Sequence, residues 1–443
     1  MPSAAEQLAA NLNLSAFAKA DELKKRIWFT LGILLVYRLG TYVPVPGIDP
    51  VALQQLFEQN QSGIIGMFDL FSGGAVGRMA IFALNILPYI TSSIIIQLMT
   101  AVSPHLNQLK KEGEQGRKQI NQYTRYGTVI LAALQGYGIA VGLEATGNVV
   151  TDPGLFFRVV TVITLVSGTI FLMWLGEQIT ARGVGNGISL IIFAGIVAEL
   201  PSALVATLEL GRQGALSIVT ILGMIVMVIA VIAFIVFIER AQRRIMIQYP
   251  KRQMGNAMFG GDSSHLPLKL NTAGVIPPIF ASSLLLMPIT IANFSAGSGP
   301  QWLTDVTALL GQGQPLFMLL YAGGIIFFCF FYTSIVFNPE DTADNLKKYG
   351  GFVLGIRPGQ RTAEYLDYVL TRLTVVGALY LTLVCLLPEF LRVQYNVPFY
   401  FGGTSLLIIV SVTMDTVNQI QNHLLTHQYE GLIKKSRLRG MRR

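Results

Sequence analysis

Charge is what this 443-residue chain has least of. Only 13% of its residues are Asp, Glu, Lys or Arg, against 52% hydrophobic, and its mean hydropathy is +0.55. A water-soluble domain carries roughly 25% charged residues, so this composition excludes one and points to a protein integral to a membrane. Cysteine is scarce too. Cys329 and Cys385 both lie inside apolar runs, where they read as small hydrophobes rather than a disulfide or metal framework. The polar first twenty-five or so residues show no cleavable leader or transit peptide. Nucleotide and metalloprotease signatures are missing: there is no P-loop and no His-Glu-x-x-His, and GVGNG at 183–187 has no strand ahead of it. The chain is therefore not expected to be an enzyme or to hold a cofactor or metal, and its energy source must lie in a partner.

What the chain has instead is long apolar runs. A helix needs about 20 residues to cross about 30 Å of hydrocarbon. Ten spans are expected near 24–43, 79–102, 125–145, 154–176, 187–207, 216–238, 273–293, 315–337, 372–391 and 400–421. Lys and Arg sort sharply around them. Of 32 basic residues, 27 fall in the N-terminal arm, in alternate loops or in the tail; the exceptions are Arg38, Arg78, Arg158, Arg212 and Arg392. The positive-inside rule then places both termini in the cytoplasm. Arg38, Glu144, Glu199, Glu209, Glu389 and Arg392 lie toward the outer ends of their spans and Asp415 toward the inner end of its own, leaving the central layer uncharged. Ion- or proton-coupled transporters keep an ionisable residue near mid-membrane. That argues for a channel, with a secondary transporter of inverted-repeat fold as the alternative.

The chain also repeats itself. ILPYITSSIII (86–96) and IPPIFASSLLL (276–286) share an Ile, a central Pro and a Ser-Ser pair. Adding the same offset to spans one and three lands on spans six and eight. Either apolar segments coincide here by chance or the chain is two five-helix halves, in which case an odd number of spans per half makes the second inverted relative to the first. The stretch GMFDLFSGGAVGRMAIFALNILPYITSSIIIQL (66–98) does not read as one ordinary span. It begins amphipathic, breaks at Gly73-Gly74, carries Arg78 and only then runs apolar to Pro88. Irregular, glycine-containing backbone is tolerated at membrane depth only inside protein or around water.

Long segments here resemble a known family. AIFALNILPYITSSIIIQL (80–98), MWLGEQITARGVGNGISLIIFAGI (173–196), HLPLKLNTAGVIPPIFASS (265–283), FNPEDTADNLKKYGGFVLGIRPG (337–359) and VPFYFGGTSLLI (397–408) are similar to the SecY family of protein-translocation channels. Two departures stand out: Asn85 occupies a position where the family usually has Gly, and Pro278 doubles the proline of span seven. The resemblance covers essentially the whole chain. It implies an all-α integral membrane fold, ten helices in two inverted five-helix halves around a central pore. The expected division is a cytoplasmic arm (1–23), an N-terminal half (24–207), a C-terminal half (208–421) and a basic tail (422–443).

The resemblance also implies roles. Residues 61–77 would be a plug in the external funnel, with Phe68, Leu70 and Phe71 facing the pore wall and Gly73 and Gly74 among its hinges. Ile86 and Ile90, joined by Ile192, Ile279 and Ile408, would form an apolar pore ring that resists ion leak by dewetting yet parts around a polypeptide. A lateral gate would open between Pro88, Ser92 and Ser93 on one side and Pro278, Ser282 and Ser283 on the other. There the prolines would permit bending, and the serines would let two helices approach and hydrogen-bond when shut. Cytoplasmic loops 239–272 and 338–371 would dock partners through Arg357, Arg243, Arg244, Lys251 and Arg252. The partners implied are SecE and SecG in a heterotrimer, the motor ATPase SecA, the ribosome, preprotein signal sequences, accessory Sec membrane subunits and an insertase. The +8 net charge suits RNA and anionic lipid. A bacterial plasma membrane is expected, with a thylakoid as the alternative.

Overall fold

The structure is a computed structural model that describes residues 21–60, 72–145, 149–214, 217–249, 252–254, 257–259, 263–294, 314–395 and 403–440. Helices dominate: α1 Asp21–Gly40, α2 Pro50–Asn60, α3 Leu87–Val102, α4 Pro104–Lys111, α5 Glu114–Ala145, α6 Leu155–Arg182 and α7 Gly187–Arg212. These are followed by α8 Ile218–Arg240, α9 Ile276–Phe294, α10 Pro315–Val336, α11 Pro339–Lys348, α12 Gln360–Tyr395 and α13 Gly403–Gly440. Five short strands interrupt them: β1 Gln242–Gln248, β2 Arg252–Met254, β3 Ala257–Phe259, β4 Ser263–Lys269 and β5 Phe352–Val353. Each of the ten expected spans overlaps a helix among the described residues. Among the described residues six helices are by length and composition alone sufficient to cross a membrane. A seventh exists if α3 and α4 count as one span bent by 99°. That bend lies at Ser103, which is extended (φ −88°, ψ 120°) because it precedes Pro104.

Helix ends follow local chemistry. Ser217 caps α8 by accepting the Thr220 amide at 3.2 Å, and Asn338 caps α11 by accepting from Glu340 at 3.0 Å. In α11 the acids Glu340 and Asp341 open the first turn and Lys347 and Lys348 close the last, complementing the helix dipole. Helix α8 is apolar on all sides, yet among its side chains only Ile235 is buried. That pattern fits a helix whose surface meets lipid.

The chain divides into two compact units, residues 1–205, 290–304 and 412–443 and residues 206–289 and 305–411. In the first, α5 packs along α6, and α3 lies against α5. A core of Val45, Leu53, Met79, Ala83, Leu84, Ala132, Val149 and Leu165 sits around the stretch that precedes α3.

That stretch corrects one expectation. The span expected to start at residue 79 becomes helical only at Leu87. Residues 73–86 are turns, with φ +44° at Met79 and +50° at Asn85. Their amides bond across to the chain after α1: Val45 N–H donates to the Met79 carbonyl, and Ile81 N–H donates to the Val43 carbonyl, both at 2.9 Å. Asparagine is among the few side chains that tolerate the left-handed region, so Asn85 holds a backbone conformation otherwise suited to glycine. The irregular backbone needs a close neighbour. A Cβ on Gly168 of α6 would collide with the Ile81 carbonyl.

In the second unit the strands form a platform. β4, β1 and β5 make an antiparallel sheet in that order, with Ile245 opposite Leu266 and Ile247 opposite Val353. Its apolar face (Ile245, Leu268 and Val353) packs on Leu366, Val369 and Leu373 of α12.

Candidate functional site

The residues singled out from sequence distribute over both units. Phe68, Leu70 and Phe71 lie outside the described residues, as does Lys251. Gly73 and Gly74 are described and carry the root of the irregular segment. Their φ values, +66° and +79°, give two consecutive left-handed residues that only glycine adopts without strain. Around them sits a cluster that the sequence had not linked together. Arg38 Nη1 donates to the Gly73 carbonyl at 2.5 Å, and Arg78 Nη2 donates to the same oxygen at 2.9 Å. The Tyr37 hydroxyl donates to the Ser72 carbonyl at 3.2 Å. Arg38 lies 4.0 Å from the Glu199 carboxylate, and the two side chains keep 30% and 22% of their accessible surface. Both guanidinium groups lie over the Tyr42 ring, Arg78 at 4.2 Å and Arg38 at 5.2 Å from its centroid. The available signal was that Arg38 and Glu199 carry opposite charge toward the outer ends of two different spans. The same signal foretells Glu144 and Arg158, whose Oε2 and Nη2 meet at 2.6 Å.

Of the pore-ring candidates, Ile86 caps α3 and is 1% exposed, and its carbonyl accepts the Ile90 amide at 3.0 Å. The two therefore stand one turn apart, though only Ile90 lies within the helix. Ile192 is buried on α7. Ile279 on α9 is half-buried and Ile408 on α13 buried; both belong to the second unit.

The gate candidates depart from expectation in two respects. Pro88 lies in the first turn of α3, and Pro277 and Pro278 in that of α9. A first-turn amide has no intrahelical acceptor, so these prolines break no hydrogen bond and start the helices instead of bending them. The serines, expected to bond across the gate, are mostly engaged at home. Ser92 Oγ donates to the Thr124 carbonyl of α5 at 2.8 Å and is packed so closely that a Cβ on Gly127 would strike it. Ser93 Oγ accepts from Gln97 Nε2 at 3.1 Å, and Ser282 Oγ donates to the Ile279 carbonyl at 2.9 Å. Ser283 Oγ is buried and has no hydrogen-bond partner among the described residues.

The two docking loops, read separately from sequence, share one sheet. Arg243 and Arg244 are exposed on β1, opposite Leu268 and Pro267 of β4. Arg252 stands on β2 opposite Phe259. β5 brings in the second loop, and the exposed Arg357 follows it between Gly355 and Gly359 at φ +78° and +105°. Ile356 anchors this turn by packing against the sheet core, and the Arg357 carbonyl accepts the Thr362 hydroxyl at 3.0 Å. At the base of the platform Asn271, 3% exposed, ties the end of α8 to the start of α9. Its amide nitrogen donates to Glu239 Oε1 at 2.7 Å and to the Gly274 carbonyl at 3.0 Å, while its oxygen accepts the Gly274 amide at 3.1 Å.

These features agree with what the chain is similar to. The family model described as SecY matches residues 80–417. The protein translocase subunit SecY of Vibrio cholerae is 56% identical over 431 residues, covering 96% of this chain and 97% of that one. Its counterpart in Escherichia coli K12 is 57% identical over 430 residues, with the same coverage. The fold is that of a solved protein-conducting channel (TM-score 0.66, 17% identity, 90% of this chain and 92% of that one). It is also that of Sec61 in a canine ribosome–channel complex (TM-score 0.65, 16% identity, 90% and 92%). A family match from residue 80 to residue 417, and relatives more than half identical along nearly the whole chain, admit one conclusion: the chain belongs to the SecY family of protein translocase channel subunits.

Proposed function

We propose that this chain is the central subunit of a bacterial inner-membrane channel that passes unfolded preproteins outward and releases apolar segments sideways between α3 and α9. The observation that carries the reading is the glycine-rooted segment at 72–86, held by backbone and arginine contacts directly ahead of α3. A related SecY is described as having a plug domain that stabilises the closed state and maintains a membrane seal (TM-score 0.67, 19% identity). Residues 61–77 play that part here. Ile86, Ile90, Ile192, Ile279 and Ile408 form the constriction, divided between halves 24–207 and 208–421. The platform with Arg243, Arg244, Lys251, Arg252 and Arg357 receives SecA and the ribosome. SecE and SecG complete the heterotrimer, accessory Sec subunits and an insertase join it, and the basic arm and tail (1–23 and 422–443) face cytoplasmic anionic lipid.

The test is reconstitution. The chain with SecE and SecG is placed in vesicles with SecA, ATP and a preprotein, and protease-protected product is measured. Protection that depends on ATP and on the signal sequence supports the reading. Its absence from vesicles in which the heterotrimer is intact refutes it.

A further inference from the structure

We propose that Arg38, Arg78 and Glu199 form a latch that holds the C-terminal root of the plug against α1 and α7, and that the strength of this latch sets how often the resting channel opens. The inference rests on reading residues 61–77 as a plug. It adds the positioning residues that keep the plug seated.

Two cations converge on one carbonyl, that of Gly73, while Tyr37 takes the preceding one at Ser72. Arg78 Nε also donates to the Thr41 carbonyl at 3.3 Å, so α1, its following turn and the root share one set of donors. An arginine serving only an ion pair would make its short contact with the carboxylate. Arg38 makes its short contact with the Gly73 carbonyl and lies 4.0 Å from Glu199. The carboxylate orients the guanidinium, and the backbone oxygen receives it. The Ser202 hydroxyl lies 2.8 Å from the Glu199 backbone carbonyl and 3.0 Å from Glu199 Oε2, sharing its one proton between them.

The geometry leaves no slack. A Cβ on Gly73 would come within 3.0 Å of Gly195 Cα, and one on Gly74 within 2.7 Å of both Arg78 Nη2 and Glu199 Oε1. The root is seated against the backbone of α7, in a slot that only glycine fills. The arrangement is also two-sided. Arg38 and Arg78 share the Tyr42 ring, and two like charges so close depend on the carbonyl dipole they both contact and on the Glu199 carboxylate 4.0 Å from Arg38. Withdrawal of the root removes the shared acceptor and sets the two cations against each other. The cluster therefore favours two states, root seated or root released, over a continuum.

The test is resting conductance of the intact heterotrimer in planar bilayers, without motor or substrate. Arg38→Gln removes a charge-assisted bond and should raise the open probability by about tenfold or more. Glu199→Gln, almost isosteric and still able to face Ser202, should raise it by a smaller factor. It is also the variant to read if Arg38→Gln lowers the yield of intact complex. Both are repeated after deletion of residues 61–77, where conductance should already be high and neither substitution should add to it. Substitutions that are silent while the deletion leaks overturn the latch and leave the plug. A deletion that does not leak overturns the plug and the latch with it. An equal rise in both backgrounds also overturns the latch, because the arginine would then act on the pore and not through the plug.

Discussion

Asn271 is a single buried side chain on which the start of α9 depends, and its replacement by alanine should be costly. The substitution deletes three hydrogen bonds at once: two to Gly274 and one to the Glu239 carboxylate at 2.7 Å. A neutral bond of this kind contributes about 0.5–1.5 kcal/mol and one to a charged group about 1.5–3 kcal/mol, so the loss is on the order of 3–5 kcal/mol. The site is 3% exposed, which leaves water little room to substitute. Thr272 provides the control. It is the adjacent residue, half-buried, with one bond from its hydroxyl to the Lys269 carbonyl at 3.2 Å, and its replacement by alanine should cost at most about 0.5–1.5 kcal/mol, well below the loss at Asn271. In detergent, Asn271→Ala should lower the apparent melting temperature of the heterotrimer by roughly 5–10 °C relative to Thr272→Ala. It should also open residues 239–272 to protease at temperatures where the control resists. Translocation should fall with it, since the same turn sets where α9 begins. If the two variants melt together, Asn271 does not fasten α8 to α9 and the reasoning fails.

Other outcomes can be checked in the same preparations. Arg357→Glu should abolish SecA-driven translocation while the amount of folded heterotrimer stays unchanged. The side chain is exposed, so the stability change should stay within about 0.5 kcal/mol, while reversal at a docking contact installs repulsion; normal translocation would make Arg357 an ordinary positive-inside residue. Leu366→Ala, at a side chain fully shielded beneath the sheet, should cost about 2–5 kcal/mol and speed hydrogen exchange in 242–248. Unchanged exchange there would show that the sheet does not depend on α12. Cysteine at Ser93, paired with cysteine at Ser283, should crosslink in the resting channel and block export until reduced. Cysteine at Ser92, packed against Gly127, should react poorly; a Ser92 pair that crosslinks as readily as Ser93 would refute this placement of the gate.

By itself the sequence determined the class of protein and much of its layout along the chain. Scarce charge and long apolar runs marked a membrane protein, with ten spans expected. Lys and Arg counts gave an expected orientation, with both termini cytoplasmic. The repeat at 86–96 and 276–286 marked two corresponding segments, and the structure starts their helices at Leu87 and Ile276. Resemblance to a family then supplied the roles. What tertiary structure alone decided was which distant groups meet. The sequence shows Ser92 as a small residue in an apolar run, but not that its hydroxyl is taken by Thr124. Proline in an apolar run reads as a kink until the first turn is located, and residues 79–86 read as helix until their amides are seen bonding to the chain after α1. QRRIMIQ and FV lie far apart in sequence and became one sheet through ladder hydrogen bonds and a shared face on α12. Arg38, Arg78 and Glu199 looked like three separate charges near span ends. Hydropathy is a property of a window of residues, whereas a hydrogen bond is a property of two atoms, and only packing brings those atoms together.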